Sequence, residues 1–318
     1  MRKIVKKGQF NFAWLFAILA GAAILFLAIF GAMKTGDTAR FQTDTQVAKQ
    51  ISILTDPLQA GFSEGSFGSI SFKKETRVNN ICFSDEFGKN DISVSTKSEV
   101  GEEWNLPGAT ISIHNKYIFS KERSSGLDYY VLSKPFNLPY KVADLIFMIS
   151  ENYCFTGAPE EIETEILGLG IPNIEINNCT VSDSIKVCFS STSNCDIVVS
   201  GSCYTNCDSL YDKGTVIKKD SNEDVNFVGN LMYAAIFSDK RNYDCNVKRL
   251  LYRTKKIARE LSEKTAIMST RGCTSSLNSD LVIWESMLNS TTPDTIDNLL
   301  GDLEELENKN YREQCNLW

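Results

Sequence analysis

A mostly apolar stretch runs from 10 to 33 without a single charge, and no other stretch of the chain is apolar over a membrane-spanning length. At about 1.5 Å per residue, a helix of that length crosses a hydrocarbon core of about 30 Å with some tilt. Gly36-Asp37-Thr38 predicts a break. Beyond it Phe41, Val47, Ala48, Ile51 and Leu54 recur at three- and four-residue spacing, which predicts a stalk helix over 38–55 closed by Asp56-Pro57. From Gly61 the period changes to two. Residues 69–72 and 110–114 alternate apolar and polar positions among Gly65, Gly68, Gly88, Gly101 and Gly108, and 129–132 are a further strand candidate, so short strands are expected as far as Pro135 and Pro139.

The next stretch reads as β-α-β. Residues 142–149 form an apolar run broken only by Asp144, and 153–155 and 174–176 are strand candidates. Between the latter two, Pro159 opens a helix with Glu160, Glu161 and Glu163 in its first turns, Ile162, Ile166 and Leu167 on its stripe, and Gly168 as its cap. Residues 185–189 and 197–199 are expected to form a hairpin, because 191–194 have turn composition.

The last hundred residues are helical in pattern. A mostly apolar helix is predicted over 225–237. A longer one, capped by Asp244, carries Val247, Leu250, Leu251, Ile257 and Leu261 opposite a basic face of Lys248, Arg249, Arg253, Lys255, Lys256 and Arg259. A helix with Leu281, Trp284 and Leu288 follows. Thr292-Pro293-Asp294 then opens a final one, with Ile296, Leu299, Leu300, Leu303 and Leu306 opposite Asp302, Glu304, Glu305 and Glu307. The fold class expected is α+β or mixed α/β. Its sections are a basic segment (1–9), a transmembrane helix (10–33), a stalk (34–60), a β-rich and α/β domain (61–220) and a helical section packed on it (221–318).

Charge orients this layout. Arg2, Lys3, Lys6 and Lys7 precede the apolar run and no acid appears before Asp37, so the positive-inside rule places the N-terminus in the cytoplasm and the rest outside. The part beyond the run holds 29 basic and 40 acidic residues, a net charge of −11. That balance excludes nucleic acid as a partner class and disfavours an anionic membrane face. The partners expected are the lipid bilayer and a protein, either a second copy or another chain, met through the membrane and stalk helices.

All ten cysteines lie on the exported side: Cys82, Cys154, Cys179, Cys188, Cys195, Cys203, Cys207, Cys245, Cys273 and Cys315. An even number in an oxidising compartment predicts five disulfides, with the pairing open. Cys203 and Cys207 have three intervening residues, one more than a thioredoxin-type redox pair, and no second metal half-site accompanies them. Asn178-Cys179-Thr180 and Asn289-Ser290-Thr291 match the N-glycosylation pattern.

Catalytic chemistry finds little to work with. His114 is the one histidine, on a candidate strand, which removes every site needing two imidazoles. GxGxxG and GxxxxGK[ST] patterns are missing, so no phosphate loop is expected, and no cofactor. Paired carboxylates could still serve a glycosidase, and Glu102-Glu103-Trp104 sets two acids beside an aromatic ring. The leading expectation is a membrane-anchored surface protein that binds or scaffolds, with an envelope carbohydrate hydrolase as one alternative.

The residues Lys6-Lys7-Gly8-Gln9 directly before the apolar run supply another. They resemble the class III signal of archaeal type IV pilins, a resemblance covering about the first thirty residues. It implies cleavage between Gly8 and Gln9 with the apolar helix kept on the mature protein, and so a pilin-like or pseudopilin subunit. Members of that family usually carry a Glu a few positions into the helix; here Ala13 stands at that place and 9–33 contain no acid.

Overall fold

The computed structural model describes residues 12–59, 67–98, 103–189, 193–202 and 212–318. Its first element, α1 (Phe12–Gln59), is one helix of 48 residues, about 70 Å long at 1.5 Å per residue. The expected break at Gly36-Asp37-Thr38 is not made. A glycine costs a helix only about 1 kcal/mol relative to alanine, and Asp and Thr less, too little to stop one already propagating from both sides. Pro57 also lies inside the helix, two residues from its end, where the lost N–H bond weakens only the last turn.

The two halves of α1 meet different surroundings. Residues 14–31 are long and apolar enough to cross a membrane and bury nothing against the protein. Further down, Asp44, Ala48 and Ile51 are fully buried against a sheet. Gly108 fits under this half because a Cβ there would lie 2.8 Å from the Thr45 nitrogen, and Ala109 donates its N–H to the Thr45 hydroxyl at 2.9 Å.

That sheet comprises β1 (Phe67–Phe83), β2 (Lys89–Thr96), β3 (Ile111–His114), β4 (Tyr117–Phe119), β5 (Arg123–Asn137) and β6 (Lys141–Ile149), ordered β3-β2-β1-β5-β6-β4. All pairings are antiparallel except β4 with β6. Alternation sorts its side chains: Val78, Ile92, Val94, Tyr129, Val131, Ile146 and Met148 meet Ala48 and Ile51, while Leu145, Phe147 and Ile149 face the other way into the main core.

A second sheet holds β7 (Tyr153–Thr156), β8 (Ile174–Ile176), β9 (Ile185–Cys188), β10 (Ile197–Ser202), β11 (Lys213–Lys218) and β12 (Glu223–Val228), ordered β12-β11-β10-β9-β7-β8. The predicted β-α-β is β7, α2 (Glu160–Leu169) and β8, with β7 and β8 parallel and adjacent. Gly170, at φ 62°, caps α2 rather than Gly168. The expected hairpin is not formed: β9 and β10 run parallel, and the Cys188–Cys195 disulfide closes the connection between them. Period-two alternation carries no strand direction, so the same sequence pattern suits either arrangement.

The helices follow: α3 (Leu231–Phe237), α4 (Lys240–Ser269), α5 (Asn278–Ser290), a 3₁₀ turn (Pro293–Leu299) and α6 (Leu300–Arg312). The helix expected over 225–237 is instead β12 and then α3, separated at Gly229 with φ 49°. Asp239, not Asp244, caps α4, its carboxylate accepting from the Asn242 N–H at 2.8 Å. Every residue of α3 is buried. Phe237 joins the two sheets, lying 6.1 Å from Phe147 of β6 and 5.0 Å from Tyr153 of β7 between ring centroids. One core therefore runs through 61–220 and 221–318 alike.

Candidate functional site

A large recess lies between the two sheets. It consists of two adjoining clefts of about 750 and 710 Å³ that share Lys121, Lys218 and Asp220. The residue before β5 contributes Glu122, the β11–β12 turn contributes Ser221, the first residue of β12 is Glu223, and the start of α4 contributes Asp239 and Arg241. Most of these charges already have structural tasks. Arg241 pairs with Glu122 at 3.1 Å and Lys121 with Glu151 at 3.2 Å. Asp239 caps α4 with one oxygen and takes the Glu122 N–H at 2.5 Å with the other. Asp220 accepts from the Ser221 N–H at 2.8 Å, and the Ser221 hydroxyl donates to Glu223 at 3.0 Å.

Lys218 is different. It ends β11 with its side chain buried, and its ammonium donates to the Ser238 carbonyl. Burial draws its pKa down to about 8, against a smaller opposite pull from Asp239. On the same wall the Tyr153 hydroxyl is buried with no hydrogen-bond partner among the described residues, and burial raises its pKa well above the usual phenol value. Such a recess suits hydroxyl-rich or zwitterionic ligands. Tyr153, Ile185 and Ile197 each begin a parallel strand, so the recess opens at the amino ends of β7, β9 and β10. Dinucleotide sites open at the carboxyl ends.

A second polar cluster is wholly internal. Arg249, expected on the solvated basic face of α4, is 0% exposed. Its Nε donates to the Phe87 carbonyl at 2.8 Å, one terminal nitrogen to Asn90 Oδ1 at 2.5 Å and Asn246 Oδ1 at 2.7 Å, and the other to the Lys116 carbonyl at 2.9 Å. The guanidinium also lies 4.8 Å from the Tyr117 ring centroid. All these acceptors are neutral, and burial lowers the pKa of Arg249 to about 10. Around it Asn90 donates to Asn80 at 2.9 Å, and Asn246 donates to Asn242 at 2.6 Å and to the Ile118 carbonyl at 3.1 Å. Gly88 makes room: at φ 55°, a Cβ there would meet the Phe83 carbonyl at 2.0 Å and Arg249 at 2.9 Å.

The cysteines form four disulfides among the described residues: Cys82–Cys245, Cys154–Cys179, Cys188–Cys195 and Cys273–Cys315. Cys203 and Cys207 lie outside the described residues, as do Gly8, Gln9 and Glu102. Asn178 follows β8 and is exposed, with Cys179 committed to Cys154 and the Thr180 hydroxyl donating to Glu175. Asn289 is exposed near the end of α5 and accepts from Lys255 at 2.9 Å. His114 ends β3 on the surface. Glu103 is exposed too, and Arg77 covers the Trp104 ring at 3.9 Å. Among the described residues no group of three His, Cys, Asp or Glu side chains is placed to hold a metal ion.

Neither the recess nor the Arg249 layer was singled out by sequence. Asn242 and Asn246, one turn apart on the apolar face of α4, were the signal for the second.

Compared with family models, curated proteins and solved structures, the chain matches none.

Proposed function

We propose that the chain is a single-pass surface protein, with its N-terminus in the cytoplasm, whose disulfide-stapled domain binds or scaffolds a partner outside the cell rather than catalysing a reaction. The observation that carries this reading is α1. One helix presents bare apolar turns over 14–31 and embeds its lower half in the first sheet, so any anchor is joined to the domain without a flexible link. The four disulfides fit export, since such bonds persist in oxidising compartments. Arg2 and the three lysines near it fit the inward end. The test is amine labelling of intact cells with an impermeant reagent. Lys248 and Lys256 should be modified while Lys3, Lys6 and Lys7 stay protected until the cells are opened; equal labelling of both sets would refute the orientation.

The continuity of α1 favours a second reading, a pilin-like or pseudopilin subunit processed after Gly8. A rigid rod with an exposed apolar half can bundle with the same half of neighbouring copies, as a filament core requires. This reading predicts a mature N-terminus at Gln9 and filaments on the cell; a mature chain starting at Met1 removes it.

A further inference from the structure

We propose that the β1–β2 turn and the adjoining face of α4 dock into the α5–α6 groove of a second copy of this chain. The turn presents Phe83 and Phe87, 43% and 39% exposed. Phe87 meets Tyr252 of α4 edge-on at 5.0 Å. Lysines frame these rings: Lys89 lies 5.2 Å from the Phe83 centroid and Lys256 5.0 Å from that of Tyr252. Lys248 and Arg253 on the same helix make no ion pair among the described residues, and the one hydrogen bond of Lys255 goes to a neutral amide, Asn289. Asp85 and Glu86 at the turn subtract from this positive field without covering the aromatic rings. The surface is thus an aromatic knob with a mainly basic rim, on a domain whose charge is otherwise negative.

The complement is on the same molecule. Between α5 and α6 runs a groove of about 160 Å³, floored by Ile283, Trp284 and Met287 and bordered by Asp280, Asp302 and Glu305. Ile283 is 58% exposed, which leaves its apolar surface open to a partner. Lys309 is the one cation in the groove lining, and it is held by Asp280 at 2.8 Å and Glu305 at 2.9 Å. Asp302 and Glu307 extend the acidic rim along α6. Knob and groove flank α5 from different sides: Lys255 reaches Asn289 on the α4 side, while the groove opens toward α6. Two different surfaces that fit each other give a head-to-tail contact, which repeats along a chain of copies instead of closing as a dimer.

A bilayer is the weaker occupant for the knob. Among the described side chains Asp44 is the first buried one of α1, thirteen residues beyond Gly31, so about 20 Å of helix separates the apolar span from that contact. Surface charges that far from a membrane lie beyond the screening length of about 10 Å. A second copy brings its own acidic groove, and copies anchored in one plane meet at raised local concentration. Only that last point rests on the anchor reading.

The test is sedimentation of the full oxidised chain in neutral detergent micelles, at low and high salt. Self-association is expected at low salt and should weaken by at least about tenfold in 0.5 M salt. Arg253→Glu with Lys256→Glu should abolish it, as should Asp302→Lys with Glu307→Lys. Mixing the two reversed chains, or combining all four changes in one chain, should restore it, which a misfolded variant cannot do. A chain that stays monomeric at low salt overturns the proposal, and so does failure of the mixture to reassociate. Loss of binding to anionic-lipid vesicles in the Arg253→Glu, Lys256→Glu chain, with self-association unchanged, overturns it in favour of a membrane. Failure of the anchor reading looks different, because the chain would then stay dispersed without detergent.

Discussion

Arg249 shows how one side chain can organise a junction. Four neutral acceptors from β2, two turns and α4 converge on it, so removing the guanidinium takes the donor from four buried oxygens at once. Arg249→Ala should destabilise the domain by about 3 kcal/mol or more, and Arg249→Lys by roughly half of that, because one ammonium cannot reach all four acceptors. Urea unfolding measures both, and an Arg249→Ala loss under about 1 kcal/mol would contradict this account. Helical periodicity alone put Arg249 with its exposed neighbours, since its partners Phe87, Asn90 and Lys116 lie far away in sequence. Lys218 offers a pH readout. Its folded pKa, about 8, is below the usual 10.5. Between these values the unfolded chain holds a proton that the folded chain has released, so its contribution to stability rises with pH across that window. Unfolding of Lys218→Met should show a flatter pH dependence between 8 and 10 than the parent, and identical slopes would show that Lys218 titrates normally. Above that window the buried tyrosines act oppositely, Tyr129 being pushed up to about 12 by burial.

At the scale of elements, the disulfides are unequal. Cys82–Cys245 ties β1 to α4 across 163 residues, whereas Cys188–Cys195 closes a separation of 7. Loop-closure entropy assigns roughly 5 kcal/mol to the first and about 2.5 to the second. Replacing Cys82 and Cys245 together by alanine should therefore lower the melting temperature more than replacing Cys188 and Cys195, and the reverse order would contradict an entropic origin. That the cysteines pair could be read from their number; which pairs with which could not, because nothing local in 82 or 245 points to the other. The same limit appears in the sheets. The alternation at 69–72 and 110–114 and the acidic start of α2 were legible, being local. The parallel course of β9 and β10 depends on which edges are free once β7 and β8 have paired, and no local pattern records that.

For the whole molecule the deciding feature is the rod. Sequence punctuation at Gly36-Asp37-Thr38 suggested an anchor hinged to a stalk; the structure joins them, because packing of Ala48 and Ile51 on the sheet outweighs a weak helix former upstream. Ile51→Asp should uncouple rod and domain by placing a charge among Val78, Ile92 and Met148, at a cost of several kcal/mol, and limited proteolysis should then cut below residue 59. Continued protection there would mean the lower half of α1 is not held by that core. The recess and the aromatic knob were hidden from sequence because each assembles from segments more than a hundred residues apart. The most direct measurement of the central claim is the intact mass of the protein extracted from its native membrane and alkylated without reduction. The account predicts a membrane-bound chain in which Cys82, Cys154, Cys179, Cys188, Cys195, Cys245, Cys273 and Cys315 carry no alkyl group, starting at Met1 for a plain anchor or at Gln9 for the pilin-like subunit. A protein recovered in the soluble fraction with those eight thiols alkylated would contradict it.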